Sequence, residues 1–147
     1  MAFPITRTVL VVDDDETFRV ALQELLEQRG IVVRDANDAA TAIREIDGGN
    51  LDVIFTDIRM PGGGFGVLQR VRERGMHIPV IFITGAASPE WRARADAEGA
   101  FAYLTKPVGR EDILAVLQRA FERGRGPADI LARHAMAARH AQAAQRG

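Results

Sequence analysis

The stretch Val53-Ile-Phe-Thr-Asp57-Ile-Arg-Met-Pro61 places an acid directly after a short apolar run. Residues 53–55 show no polar alternation, which is typical of a strand buried on both faces of a parallel sheet. A carboxylate at the exit of such a strand loses hydration, and its charged form is disfavoured unless another group pairs with it. Asp57 therefore predicts a set of partner groups around it.

Polar side chains also follow three other apolar runs: Asp13 and Asp14 after residues 9–12, Thr84 after 80–83, and Lys106 after 102–105. If the four strands are parallel, all these groups emerge at one carboxyl edge of the sheet. Ligands of such sheets bind outside the carboxyl ends of the strands. The sequence therefore predicts a polar site at that edge.

The rest of the chain repeats a strand followed by a helix, five times in all. Residues 31–33 form another β-branched strand, Asp15-Glu-Thr17 supplies acids and a candidate helix cap, Asn37-Asp38 is a candidate cap for the next helix, and Ser88-Pro89 is a typical helix start. Glycine follows the end of each of the first four helices. Short connections between alternating strands and helices favour a parallel sheet with helices on both faces.

Length and composition favour one globular domain with a short appendage. The chain has 147 residues, 47% hydrophobic and 27% charged, and its net charge of -1 gives no reason to expect nucleic acid or an anionic membrane as partner. No apolar run approaches the roughly 20 residues of a membrane span, and Thr6-Arg-Thr8 interrupts any signal peptide. We expect a cytoplasmic protein; the absence of cysteine excludes disulfides and thiol chemistry.

The composition changes near the end of the chain. We expect residues 1–123 to form the domain, and residues 124–147 to be an alanine-rich tail that is helical or partly ordered. The tail is too short for an independent output domain. Without a DNA-binding domain after residue 123, direct transcriptional control is not expected of this chain.

The acids suggest a metal-assisted reaction. Three adjacent carboxylates repel one another, and oxygen-only ligands favour a hard cation such as Mg²⁺, which typically joins carboxylates to a phosphate. The Lys106 ammonium and the Thr84 hydroxyl complete a set suited to phosphoryl transfer. Asp57, which stands alone at its strand end, is the better nucleophile for an acyl phosphate, although spacing alone leaves that choice open.

These motifs resemble the receiver domain of two-component response regulators, in particular its single-domain members. The matching pieces are Val11-Val-Asp-Asp-Asp15 with Arg19, then 57–61, Thr84, Tyr103 and Lys106-Pro107. The resemblance covers about residues 7–123. It implies a doubly wound, flavodoxin-like α/β fold with a five-stranded parallel sheet in the order 2-1-3-4-5.

The resemblance also implies the site chemistry. Asp57 would accept a phosphoryl group from the phosphohistidine of a histidine kinase or phosphotransfer protein. Mg²⁺ would be held by Asp14, Asp57 and the backbone carbonyl of Arg59, with Asp13 beside them or acting through water. Thr84 and Lys106 would bind the phosphoryl oxygens, and the Lys106-Pro107 peptide is a candidate for the cis form.

The implied switch couples this site to a surface. On phosphorylation the Thr84 hydroxyl would move toward the phosphoryl group and the Tyr103 ring would turn inward. Both changes would alter the face formed by the fourth strand, fourth helix and fifth strand, and so its affinity for a downstream protein. We expect a monomer or a weak phosphorylation-dependent dimer.

Two local features depart from the family pattern. The glycine-rich segment 61–64 shortens the loop after Asp57, and its glycines are unfavourable to order. Ala86, two residues after Thr84, cannot orient a hydrolytic water, whereas Arg59, two residues after Asp57, can shield the phosphoryl group. We therefore predict slow self-dephosphorylation.

Other functions remain as alternatives. An aspartyl-phosphate phosphatase or phosphotransferase needs a second acid, which in the commonest such family lies two residues after the nucleophile, where this chain has Arg59. An interaction scaffold without phosphorylation would not need the acid, threonine and lysine set. We interpret Trp91 as a partly buried packing residue, and His77, His134 and His140 as surface residues.

Overall fold

A computed structural model describes residues 6–86 and 88–123. The strands are β1 (Thr8–Val12), β2 (Val32–Ala36), β3 (Val53–Thr56), β4 (Val80–Thr84) and β5 (Ala102–Thr105). The helices are α1 (Glu16–Glu27), α2 (Ala39–Gly48), α3 (Gly64–Glu73), α4 (Pro89–Ala97) and α5 (Arg110–Arg123). The predicted tail and Ala87 lie outside these described residues. No helix in the described part of the chain is long and apolar enough to cross a membrane.

The five strands form one parallel sheet in the order β2-β1-β3-β4-β5, which confirms the predicted fold. The register places the carboxyl ends of β1 and β3 at the same level, because Val12, the last residue of β1, pairs with Thr56, the last residue of β3. Asp13 and Asp57 therefore leave adjacent strands side by side.

The sheet is covered by apolar layers on both sides. Successive residues of β1 point to opposite faces, so that Val9 and Val11 belong to one layer and Leu10 and Val12 to the other. The first layer includes Leu22 and Leu26 of α1 and Ile113, Val116, Leu117 and Ala120 of α5. The second includes Ala42 and Ile46 of α2, Val67, Leu68 and Val71 of α3, and Ala95 of α4.

Side chains cap three helices at the predicted positions. Asp15 accepts a hydrogen bond from the Phe18 amide at the start of α1, and Asp38 accepts one from Thr41 at the start of α2. Ser88 accepts a hydrogen bond from the Trp91 amide and Pro89 begins α4. The predicted cap chemistry is therefore confirmed.

The second strand differs from its predicted position. It begins at Val32 rather than Ile31 and runs to Ala36, through the polar residues Arg34 and Asp35. Because β2 is an edge strand and is largely open to solvent, polar side chains are tolerated there. An apolar run alone underestimates the length of such a strand.

Candidate functional site

Three carboxylates converge at the carboxyl edge of the sheet. Asp13, Asp14 and Asp57 each place one oxygen so that the three atoms lie within 4.8 Å of one another. Asp13 is 1% exposed and Asp57 is 7% exposed, whereas Asp14 is open to solvent. The cluster thus has two buried acids and one at the surface.

Lys106 neutralises the buried pair. Its ammonium donates hydrogen bonds to Asp13 Oδ2 at 2.7 Å and to Asp57 Oδ2 at 3.2 Å. Burial alone would lower the pKa of Lys106, but its bonds to these carboxylates outweigh burial and raise that pKa above its usual value. For Asp13, burial is the larger effect and raises the pKa of its carboxyl despite the lysine. The Phe18 ring lies against the same ammonium, 4.2 Å from Nζ to the ring centroid.

Backbone groups fix the Asp57 carboxylate. Its Oδ1 accepts hydrogen bonds from the amides of Ile58 at 2.6 Å and Arg59 at 3.2 Å. A Cβ at Gly64 would lie 2.1 Å from the Asp57 carbonyl oxygen. Only glycine therefore lets α3 begin this close to the end of β3.

Two backbone hydrogen bonds hold the loop between Asp57 and α3 in place. The Gly64 amide donates to the Ile58 carbonyl at 3.0 Å, and the Ala39 amide at the start of α2 donates to the Pro61 carbonyl at 3.0 Å. Gly62 and Gly63 have positive φ angles of 84° and 77°, a conformation that favours glycine. The glycine-rich segment thus has a defined path against α2.

Arg19 supports the cluster from α1. Its Nη1 donates to the Asp13 carbonyl at 2.8 Å, and its Nε donates to Asp35 Oδ2 at 3.0 Å on β2. The Asp15 amide donates to Asp13 Oδ1 at 2.9 Å. The backbone and the side chain of Asp13 are therefore both held in place.

Thr84 and Tyr103 both bond to the residue after Gly85. The buried Thr84 hydroxyl accepts a hydrogen bond from the Ala86 amide at 3.4 Å, and the Tyr103 hydroxyl donates to the Ala86 carbonyl at 2.9 Å. The Lys106 amide donates to the Thr84 carbonyl at 2.8 Å, and the Lys106-Pro107 peptide is cis, as predicted. The Ala86 backbone thus joins the two residues predicted to switch.

Two arginines stack on aromatic rings beside the site. The Arg59 guanidinium lies 5.3 Å from the Trp91 ring centroid, and Arg92 lies 4.9 Å from that of Tyr103. Sequence patterns did not predict these contacts, because pairs on separate elements leave no periodic signal. Trp91 is half-buried against the apolar layer, as predicted.

The histidine prediction is confirmed where it can be compared with the structure. His77 is exposed. His134 and His140 lie outside the described residues.

The donor set fits Mg²⁺. All three side chains in the cluster offer oxygen, which hard divalent cations prefer, and one of the three is open to water. The buried pair already requires a positive charge, which Lys106 supplies in part. Added cationic charge here would offset the remaining repulsion.

Comparisons with known proteins agree with this geometry. The family model described as "Response regulator receiver domain" matches residues 9–118. The chemotaxis protein CheY of Pseudomonas aeruginosa is 34% identical over 122 residues, which cover 80% of this chain and 98% of that protein. A crystal structure of a response regulator receiver domain protein from Clostridium thermocellum has a TM-score of 0.74 at 31% identity, covering 81% of this chain and 97% of that one.

A longer relative matches over the same region. The DNA-binding transcriptional regulator NtrC of Bradyrhizobium is 32% identical over 127 residues, 83% of this chain. The match spans only 26% of that regulator, so this chain corresponds to about a quarter of its length.

Proposed function

Because this chain belongs to the response regulator receiver domain family, we propose that it is a phosphoacceptor switch of a two-component or phosphorelay system. One observation carries the proposal: the Lys106 ammonium bridges Asp13 and Asp57 inside a cluster of three carboxylates. This cluster fits the phosphorylation site of such domains. Receiver domains act with kinases and with downstream targets.

Asp57 is the proposed phosphoacceptor. The phosphoryl group would move from a histidine nitrogen of a histidine kinase or phosphotransfer protein to an Asp57 oxygen, breaking a P–N bond and forming a P–O bond. Lys106, already bonded to Asp57 Oδ2, would then neutralise a phosphoryl oxygen, with Thr84 as a second donor. The amides that hold Oδ1 would keep the carboxylate oriented during transfer.

Mg²⁺ is the proposed cofactor. Asp13, Asp14, Asp57 and the backbone carbonyl of Arg59 would hold it, and when bound it supplies positive charge to the phosphoryl oxygens. Asp14 is the exposed acid of the cluster. We therefore assign Asp14 the role of a ligand at the solvent side.

The proposed output is a change in affinity for a downstream protein at the β4-α4-β5 face. Thr84 and Tyr103 both bond to the Ala86 backbone, so that a Thr84 hydroxyl drawn toward the phosphoryl group would free one side of that segment. Tyr103 is only 8% exposed, so its ring already lies inward, packed against the core, and the expected inward turn of the ring is not part of the proposed switch. The released Ala86 segment and the Arg92–Tyr103 stack would then rearrange together.

Catalysis by this chain would be confined to its own phosphorylation and dephosphorylation. Arg59 stands where the commonest aspartyl-phosphate phosphatases carry an acid. This position therefore holds no acid that could protonate a leaving group. A cytoplasmic location and a monomer or weak phosphorylation-dependent dimer stay predictions.

The test is phosphorylation by phosphoramidate, a small phosphodonor that needs no partner protein. We expect a Mg²⁺-dependent mass increase of one phosphoryl group, lost in Asp57→Asn and in EDTA. Asp112→Asn, which removes an exposed acid from the first turn of α5, is the matched control and should keep the increase.

Two results would contradict the proposal. One is an increase that persists in Asp57→Asn. The other is multiple turnover of p-nitrophenyl phosphate dependent on Asp57, which would support the enzyme alternative instead.

A further inference from the structure

Arg59 joins the acceptor carboxylate to α4. Its backbone amide donates to Asp57 Oδ1 at 3.2 Å, while its guanidinium lies 5.3 Å from the Trp91 ring centroid. The side chain is exposed, and no salt bridge among residues 6–86 and 88–123 includes it. A cation without a carboxylate partner therefore lies one side-chain length from Asp57.

We propose that Trp91 is a positioning residue that holds the Arg59 guanidinium away from Asp57 before phosphorylation and competes with the phosphoryl group for it. The inference rests on the proposed function, since it names how the same site is regulated. Within the described part of the chain, no hydrogen bond joins Trp91 to Asp57 or to Lys106. It acts through Arg59.

The strengths of the contacts decide the direction of transfer. A cation–π contact at an exposed site changes an equilibrium by about two- to fivefold. A guanidinium paired with a phosphoryl group forms charge-assisted hydrogen bonds, which are roughly twice as strong as neutral ones and often bidentate. Phosphorylation therefore draws Arg59 from the indole to the phosphoryl group. Loss of the Arg59–Trp91 stack offsets part of the stabilisation that Arg59 gives to the phosphorylated state.

The transfer of Arg59 also reaches the output face. The Trp91 amide donates to the Ser88 hydroxyl that caps α4, and the next residue, Arg92, stacks on Tyr103. The indole that Arg59 would leave therefore belongs to the same first turn of α4 as the arginine that stacks on Tyr103. Arg59 and Trp91 thus link the loop after β3 to the first turn of α4.

The test is a double-mutant cycle read by ¹⁹F NMR during titration with beryllofluoride, a stable stand-in for the aspartyl phosphate, at saturating Mg²⁺. Trp91→Leu keeps an apolar side chain but removes the ring face. We expect it to tighten beryllofluoride binding by about two- to fivefold in the wild-type background and to have no effect in Arg59→Ala. Trp91→Phe, which keeps a weaker ring, should lie between wild type and Trp91→Leu.

A second readout needs no phosphoryl mimic. In Mg²⁺-free protein, Arg59→Ala should change the Trp91 emission, because it removes the cation from the indole. Unchanged emission would show that the stack does not form and would overturn the inference.

The outcomes separate the inference from the proposed function. If wild type does not bind beryllofluoride, the phosphoacceptor site fails and the inference fails with it. If wild type binds but Trp91→Leu has no effect, or has the same effect with and without Arg59, only the role of Trp91 is overturned. Melting curves of each variant show that the fold is retained.

Discussion

The acidic residues of this site carry negative charges whose burial and mutual repulsion disfavour the folded state. Asp13 is almost fully buried, and burial raises the pKa of its carboxyl even though Lys106 pairs with it. Asp14 adds a third negative charge within 4.8 Å. Clustered like charges lower the stability of the folded protein, and such a cost is common where a site binds a ligand or supports a reaction.

Relief of this repulsion gives a first prediction. Asp14→Asn should raise the free energy of unfolding in EDTA by about 0.5 kcal/mol, because it removes one like charge from an exposed position. It should also lose most of the stabilisation that Mg²⁺ gives wild type by mass action. Urea denaturation with and without Mg²⁺ measures both effects. A variant less stable than wild type in EDTA would show that the acids do not repel one another appreciably.

The members of the site were predictable from the sequence, but not all of their contacts were. Asp13, Asp57 and Lys106 were predicted to converge because each follows a strand, and the parallel register brings them together. The stack of Arg59 on Trp91 depends on where α4 lies against the loop after β3. No spacing in the chain encodes that distance.

Among the elements, α3 starts under the tightest constraint. A Cβ at Gly64 meets the backbone of Asp57, which cannot move aside without displacing the acceptor, whereas a Cβ at Gly66 meets nothing within 4 Å. Both residues belong to the same helix. They provide a matched pair in which only one glycine is required.

The pair gives a second prediction. Gly64→Ala should destabilise the protein by about 1–3 kcal/mol through steric overlap and slow phosphorylation by phosphoramidate. Gly66→Ala should stabilise it by up to about 1 kcal/mol, since alanine favours helix. Chemical denaturation and the rate of mass increase measure these effects. Equal effects of the two variants would mean that the backbone at Asp57 yields easily.

The cap of α2 gives a third prediction, on pH. The hydrogen bond from the Thr41 amide lowers the pKa of Asp38 below the ordinary aspartate value of 3.8. The ionised cap therefore contributes stability that is present above pH 3.8 and is lost as the pH falls through the lower, folded-state pKa. Asp38→Asn keeps a good cap that does not titrate.

Melting temperatures measured from about pH 7 down to about pH 3 should show the advantage of wild type over Asp38→Asn shrinking at the acid end. A difference that stays constant with pH would contradict the assignment.

Boundaries of elements were predictable where caps mark them and less so at the sheet edge. Ser88-Pro89 identified the start of α4, although only Ala95 of that helix is buried. The end of β2 was missed, because Arg34 and Asp35 look like loop residues until the strand is known to lie at an edge.

At the scale of the whole molecule, one sheet stabilises both apolar layers. Neighbouring residues of β1, such as Leu10 and Val11, pack into opposite layers. Loss of packing in one layer therefore loosens the strands that support the other. The sequence indicated this arrangement through the unbroken apolar runs of the central strands.

A fourth prediction follows. Leu26→Ala, in the layer of α1 and α5, should destabilise the protein by about 2–5 kcal/mol, and should lower the urea midpoint equally when read by circular dichroism or by Trp91 fluorescence. Trp91 reports from the opposite layer. Ile46→Ala, on the Trp91 side, is the matched comparison. Midpoints that differ between the two signals in Leu26→Ala would show that the layers unfold separately.

The loop after Asp57 also has a consequence for descent. A Cβ at Gly62 would lie 2.6 Å from Cβ of Ala39, across the gap between that loop and α2. A lineage that replaced Gly62 by asparagine, which tolerates a positive φ angle, would overlap with Ala39 unless that residue became glycine. Positions 39 and 62 should therefore covary among descendants of this chain: a residue with a Cβ at position 62 should occur together with glycine at position 39.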